Sequence, residues 1–153
     1  QAEEPAPAKA QALRTDMGGT FVQLSNECHS PEARLRKNEI DFQHNDIVKG
    51  GPVHVTAKAN FTRVHRYSQN PKYHLTADLN GFPVVNSANS LCGNSLAVMM
   101  YVKGLECPVQ PGVHPIVMSV SPMPGFFGVV HARLTGSTEE GDQLFCVSMT
   151  WHL

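Results

Sequence analysis

Three stretches of the chain alternate apolar and polar residues with the two-residue period of a strand that buries one face. In the stretch 53–61, Val53, Val55, Ala57, Ala59 and Phe61 share one side, and His54, Thr56, Lys58 and Asn60 share the other. In 73–82, Tyr73, Leu75, Ala77 and Leu79 oppose His74, Thr76, Asp78 and Asn80. In 144–153, Phe145, Val147, Met149 and Trp151 fall on one face. Further strands are expected at 19–27, 39–46, 96–103, 115–121 and 128–134. Prolines and glycines punctuate the chain every ten residues or so. Seven or eight short strands joined by polar turns describe an all-β, antiparallel sandwich.

The first residues break this pattern. Residues 1–17 read QAEEPAPAKAQALRTDM, rich in Ala, Pro and Gln, and carry no strand period. We read 1–19 as a flexible N-terminal tail and 20–153 as one domain. No internal repeat is visible.

Composition narrows the class of function. Charged residues are 16% of the chain and the net charge is −1, so there is no electrostatic case for a nucleic-acid partner. Four cysteines stand at wide spacing, none in a Cys-x-x-Cys pair, which permits two disulfides in any of three pairings. One sequon is present, at Asn60-Phe61-Thr62, on the polar face of its strand. The chain opens on glutamine, as a chain trimmed of a signal peptide would. Together these features suggest an oxidising, secretory-route compartment.

The reactive residue types do not assemble into a catalytic motif. There is no G-x-S-x-G elbow, P-loop or dinucleotide turn, and cysteines held in disulfides cannot act as nucleophiles. The eight histidines, at 29, 44, 54, 65, 74, 114, 131 and 152, show no metal-ligand spacing. We therefore expect no enzyme, no metal and no cofactor.

Several pieces then occur in a distinctive order: Gly81-Phe82-Pro83-Val84, Cys92, Cys107-Pro108-Val109-Gln110, Pro122 and Leu144-Phe145-Cys146. This order resembles the ML lipid-recognition family, which includes small soluble sterol carriers, and the resemblance runs from about Thr20 to Leu153. It implies an immunoglobulin-like sandwich whose sheets part to admit a lipid. It also implies a pairing, Cys28 with Cys146 and Cys92 with Cys107. The fourteen residues between Cys92 and Cys107 are longer than the family's usual spacing, and an extra strand or hairpin is expected there.

With that resemblance, the inward faces become candidates for lipid contact. Val55, Ala57, Phe61, Leu75, Leu79, Phe82, Ile116, Met118, Val120, Phe145, Val147, Met149 and Trp151 are expected to line an apolar pocket. Small alanines would leave room and methionines would adapt to an irregular ligand. The loop SPMPGFFG carries adjacent Phe126 and Phe127, read either as the lip of a lipid portal or as core packing at a strand start. Arg63, His65, Arg66 and Lys72, beside Tyr67 and Tyr73, form either a basic loop for anionic headgroups or a solvated hairpin.

The expected function is a soluble, secreted or endosomal/lysosomal carrier, monomeric, with a glycan at Asn60. It would bind one sterol or phospholipid and transfer it to membranes, through transient surface contact, or to a membrane receptor. The alternatives are an extracellular lipid-dependent co-receptor and an immunoglobulin-like interaction domain with a filled core.

Overall fold

Most of each alternating stretch becomes strand. The computed structural model describes residues 22–44, 52–63, 70–97, 100–121 and 127–152. Among these, ten strands occur: β1 (Val22–Ser25), β2 (Ile40–His44), β3 (Val53–Asn60), β4 (Lys72–Leu79), β5 (Phe82–Ser90), β6 (Asn94–Ala97), β7 (Met100–Lys103), β8 (Val113–Val120), β9 (Val129–Ser137) and β10 (Gln143–His152). A 3-10 turn, Lys37–Glu39, precedes β2. The tail at 1–19 lies outside the described residues.

Two five-stranded antiparallel sheets result. The first has the order β1-β10-β9-β4-β5 and the second β2-β3-β8-β7-β6. Each presents one apolar face to a shared core that includes Val55, Ala57, Phe61, Leu75, Ile116, Met118, Phe145, Val147, Met149 and Trp151. The three alternating stretches place their apolar sides inward because that is the only way a period-two segment hides its side chains. Between the sheets, the rings of Phe42 and Phe145 meet at 5.9 Å in a tilted arrangement.

Two expectations about strands need correction. The stretch 73–82 is not one strand: Asn80 and Gly81 both adopt positive φ, 54° and 89°, and turn the chain into β5. Asn-Gly is the strongest short hairpin signal, because both residues tolerate the left-handed region that a two-residue turn requires. β5 itself reads FPVVNSANS and escapes a hydrophobicity pattern because it is an edge strand, most of whose residues are exposed. The stretch 96–103 is likewise not one strand but parts of β6 and β7, which pair with each other as a hairpin. The segment between Cys92 and Cys107 therefore supplies two strands to the second sheet.

The disulfides join Cys28 to Cys146 and Cys92 to Cys107, with Cα–Cα distances of 5.5 and 5.6 Å. The first anchors the segment after β1 onto β10. There His29 is buried, its Nε2 2.7 Å from the Leu35 carbonyl and its Nδ1 accepting from the Cys146 N–H at 3.4 Å. The second closes the β6–β7 insertion at its root, where Leu105 N–H donates to Leu91 O and Gly93 N–H to Leu105 O.

Candidate functional site

Along β4, burial is uneven. On the inward side of β4, Tyr73 and Leu75 are fully buried, whereas Ala77 and Leu79 are only partly covered. The end where β4 begins is closed by Leu35, Phe61, Leu91, Leu105 and Leu144, all buried, and both disulfides lie toward it. Tyr73, whose hydroxyl bonds Ser95 Oγ at 2.6 Å, ties the two sheets there.

At the opposite end, apolar groups reach the surface. Leu79, Val85 and Val120 are partly buried against the core, while Phe82 is 75% and Phe127 73% exposed. Phe82 was expected inside the pocket. It pairs in register with Leu79, yet it stands past the hairpin turn where the second sheet no longer covers it. Phe126 lies outside the described residues, and Phe127 faces solvent rather than the core.

A side chain holds this corner together. Asn80 Nδ2 donates to the Phe127 carbonyl at 2.9 Å, and Asn80 Oδ1 accepts from the Val129 N–H at 3.0 Å. Gly128 lies between these contacts with φ 125°, and a Cβ there would overlap the Asn80 carboxamide. The β4–β5 turn and the start of β9 are thus fixed to each other, with the two exposed phenylalanines on them.

The inward faces carry small residues along one row. In the first sheet Met149, Ala132, Ala77 and Val85 are register neighbours across four strands. In the second sheet Ala57 sits between Phe42 and Ile116, and Ala59 between Ile40 and His114. Every described residue expected to line the pocket, apart from Phe82 and Phe127, belongs to the core or packs against it.

Of the basic cluster, Arg63, Lys72 and Tyr73 lie among the described residues. Arg63 is committed to a brace: its Nε and Nη2 donate to Glu39 at 2.9 and 2.6 Å, and Nη2 also donates to the Arg34 carbonyl. This pairing, with the Arg36 N–H, holds the Glu39 carboxyl below the usual carboxylate range. Lys72 is exposed at the start of β4, and His65, Arg66 and Tyr67 lie outside the described residues. Asn60, the sequon asparagine, ends β3 with its Oδ1 accepting from the Thr62 N–H at 3.0 Å. Among the described residues no group of His, Cys, Asp and Glu is arranged to hold a metal.

The outer face of the first sheet is a feature that the strand pattern did not reveal. Register places Ser25, Ser148, Arg133, Thr76 and Asn86 in one row across all five strands. Gln23, Thr150, His131, Asp78 and Pro83 form the next row. Two adjoining grooves, of about 390 and 520 Å3, run over these rows and share Arg133, Ser148 and Thr150. Each of these residues read simply as the polar side of a strand. Only the pairing of strands distant in sequence aligns them.

A two-sheet β-sandwich held by two disulfides defines the class. Residues 24–153 match the ML domain, and the chain belongs to that family, a lipid-recognition fold that is not catalytic. Among solved structures, that of chicken MD-1 complexed with lipid IVa is similar, with a TM-score of 0.48 and 13% identity over 87% of this chain and 89% of that one. No individually curated protein matches the sequence.

Proposed function

We propose that this protein is a soluble lipid carrier, which takes a single sterol or phospholipid between its sheets and delivers it to a membrane or a receptor. Membership of the ML family carries the reading. The uneven burial of the sandwich supports a mouth at the end of β4, bordered by Phe82 and Phe127. The lipid would lie against the inward residues from Val55, Ala57 and Phe61 on β3 and its end, through Leu75 and Leu79 on β4 and Ile116, Met118 and Val120 on β8, to Phe145, Val147, Met149 and Trp151 on β10. The row of small side chains supports room for it, since alanines on facing sheets cannot interdigitate fully.

The energetics favour such a ligand. At about 0.8 kcal/mol per buried methylene, a tail of roughly sixteen carbons gains about 12 kcal/mol before the loss of its freedom is counted. Exposed Phe82 and Phe127 would touch the membrane surface transiently while the lipid passes. Two disulfides fit a secreted or endosomal/lysosomal setting. A glycan on Asn60 and a monomeric state complete the proposal.

The test is organic extraction of the purified protein followed by mass spectrometry. A single lipid class at near one-to-one ratio is expected. Clean extracts, together with no uptake of fluorescent sterol or phospholipid from vesicles, would leave an interaction domain with a filled core. Lipid that is bound but released only upon stable complex formation with another protein would mark a co-receptor instead.

A further inference from the structure

We infer that His29 is an acid-released latch: a second proton on its buried ring detaches the connector between β1 and β2 from β10. The latch is independent of the lipid reading, since it rests only on how this connector is held.

The connector carries the chain from β1 in the first sheet to β2 in the second. β1 pairs with β10 only as far as Ser25 and Ser148, so the backbone groups of β10 before Ser148 need other partners on that side. The connector supplies them. Arg34 N–H donates to the Gln143 carbonyl at 2.7 Å, and Leu35 N–H to the Leu144 carbonyl at 3.2 Å. Ser30 N–H donates to Gln143 Oε1 at 2.7 Å, and Cys146 N–H donates to His29 Nδ1 at 3.4 Å. Leu35 and Leu144, joined by this seam, are wholly buried.

His29 is 3% exposed, and both ring nitrogens are engaged. A carbonyl only accepts, so Nε2, at 2.7 Å from Leu35 O, carries the ring hydrogen. Nδ1 then offers its lone pair to the Cys146 N–H. This is one tautomer of the neutral ring, whereas an imidazolium donates from both nitrogens. A second proton would set two donors against each other and leave a backbone N–H of β10 without its acceptor.

No carboxylate offsets that charge. Among the described residues none hydrogen-bonds the ring, and β10 from Gln143 to Ser148 holds no ionisable side chain, Cys146 being in a disulfide. Asp142 is bonded to Arg34 at 2.6 Å and Glu39 to Arg63 at 2.6 Å. Glu27, Glu32, Arg36, Lys37 and, on β9, Arg133 are exposed. The β9 residue in register with Cys146 is Thr135, whose hydroxyl meets the Cys146 sulfur.

Once detached, the ring takes a proton as a free imidazole does, near pH 6.5. The latch therefore contributes fully above that range, and detachment gains about tenfold per pH unit below it. Cys28, next in the chain to His29, stays bonded to Cys146, so the detached connector remains within reach and can reclose on neutralisation.

The test uses the full, isotope-labelled chain between pH 7.5 and 5. It reads the His29 ring nitrogens and the backbone hydrogen exchange, corrected for its intrinsic pH dependence. At pH 7.5 the ring is expected as the Nε2–H tautomer. Protection at Arg34, Leu35 and Cys146 is expected to fall about thirtyfold between pH 6.5 and 5, the effect of one proton over that interval, while Leu75 and Val147 keep theirs. His29→Gln should remove this pH dependence, and Asp142→Asn should retain it. The inference is overturned if the three amides stay equally protected down to pH 5, or if the ring takes its second proton with the amides still protected. It is equally overturned if Leu75 and Val147 lose protection together with them, or if His29→Gln keeps the dependence. Should His29→Gln fail to fold, the ring and the amides of the parent decide by themselves.

Discussion

Asn80 and Gly128 meet because one residue's carboxamide fills the space where the other's side chain would be. The contact fixes the β4–β5 turn against the loop that leads into β9, and with it the position of Phe82 relative to Phe127. Two exposed aromatic residues thereby sit on segments that Asn80, 47 residues before Phe127, joins through its side chain.

That clasp can be broken from either side. Asn80→Ala removes two hydrogen bonds to backbone groups and places alanine at positive φ, so a loss of about 2 kcal/mol is expected in urea unfolding. Gly128→Ala should cost at least as much, through the overlap with Asn80 and the strained φ. Hydrogen exchange at residues 127–129 should rise in both variants, while exchange at Tyr73 and Leu75 stays slow. Uniform loss of protection over the whole chain would mean that the corner is not a separable unit.

Replacing Phe82 and Phe127 together with serine should slow lipid transfer to vesicles several-fold. The melting temperature should hardly move, because surface substitutions of this kind usually fall within about 0.5 kcal/mol. A large drop in melting with normal transfer by the surviving protein would assign both rings to structure.

Filling the row of small residues should compete with ligand. Ala77→Trp, and separately Ala57→Phe, are expected to abolish uptake of fluorescent lipid and leave a cooperative unfolding transition. Ala57 is buried to 2% exposure, so the outcome for stability is diagnostic. If the neighbouring space is open, the added ring is neutral or stabilising. If it is closed, overpacking costs about 1–3 kcal/mol and lipid uptake has no reason to change.

The two disulfides should differ in worth. The Cys28–Cys146 bridge spans 118 residues and Cys92–Cys107 spans 15. In the chain-entropy picture their removal by paired serine substitution costs about 4.9 and about 3.0 kcal/mol respectively. Denaturant midpoints of the two double variants, compared at equal unfolding slope, check the order.

The Glu39–Arg63 brace sets an acid limit of its own. Its partners hold Glu39 below the ordinary carboxylate range, so the brace contributes fully above the unfolded value of about 4.3 and is lost as pH falls through the lowered folded value. Arg63 is 44% exposed, and solvent screening keeps the contribution below about 1 kcal/mol. Arg63→Ala should therefore be slightly less stable than the parent at neutral pH, and the two unfolding curves should converge as the pH falls below the lowered folded value. Parallel curves across that range would show that Glu39 has no share in the effect.

Period-two alternation was enough to determine that this chain makes a sandwich, and which sides of β3, β4 and β10 face inward. A strand with one wet face has no other way to hide Val55, Leu75 or Val147. The order of Cys-Pro, Pro and Phe-Cys pieces then pointed to the family and its disulfide pairing. β5 stayed hidden because an edge strand needs little apolar surface, and its hairpin was carried by Asn80-Gly81 rather than by hydrophobicity. Only the tertiary structure decided that the segments carrying exposed Phe82 and Phe127 are joined, since a single asparagine side chain bonds across them. Only register across β1, β10, β9, β4 and β5 aligned Arg133 with Ser148 and Thr76. Alternation tells each residue which face it occupies, but which residues stand beside it on that face is set by hydrogen bonds between segments far apart in the chain.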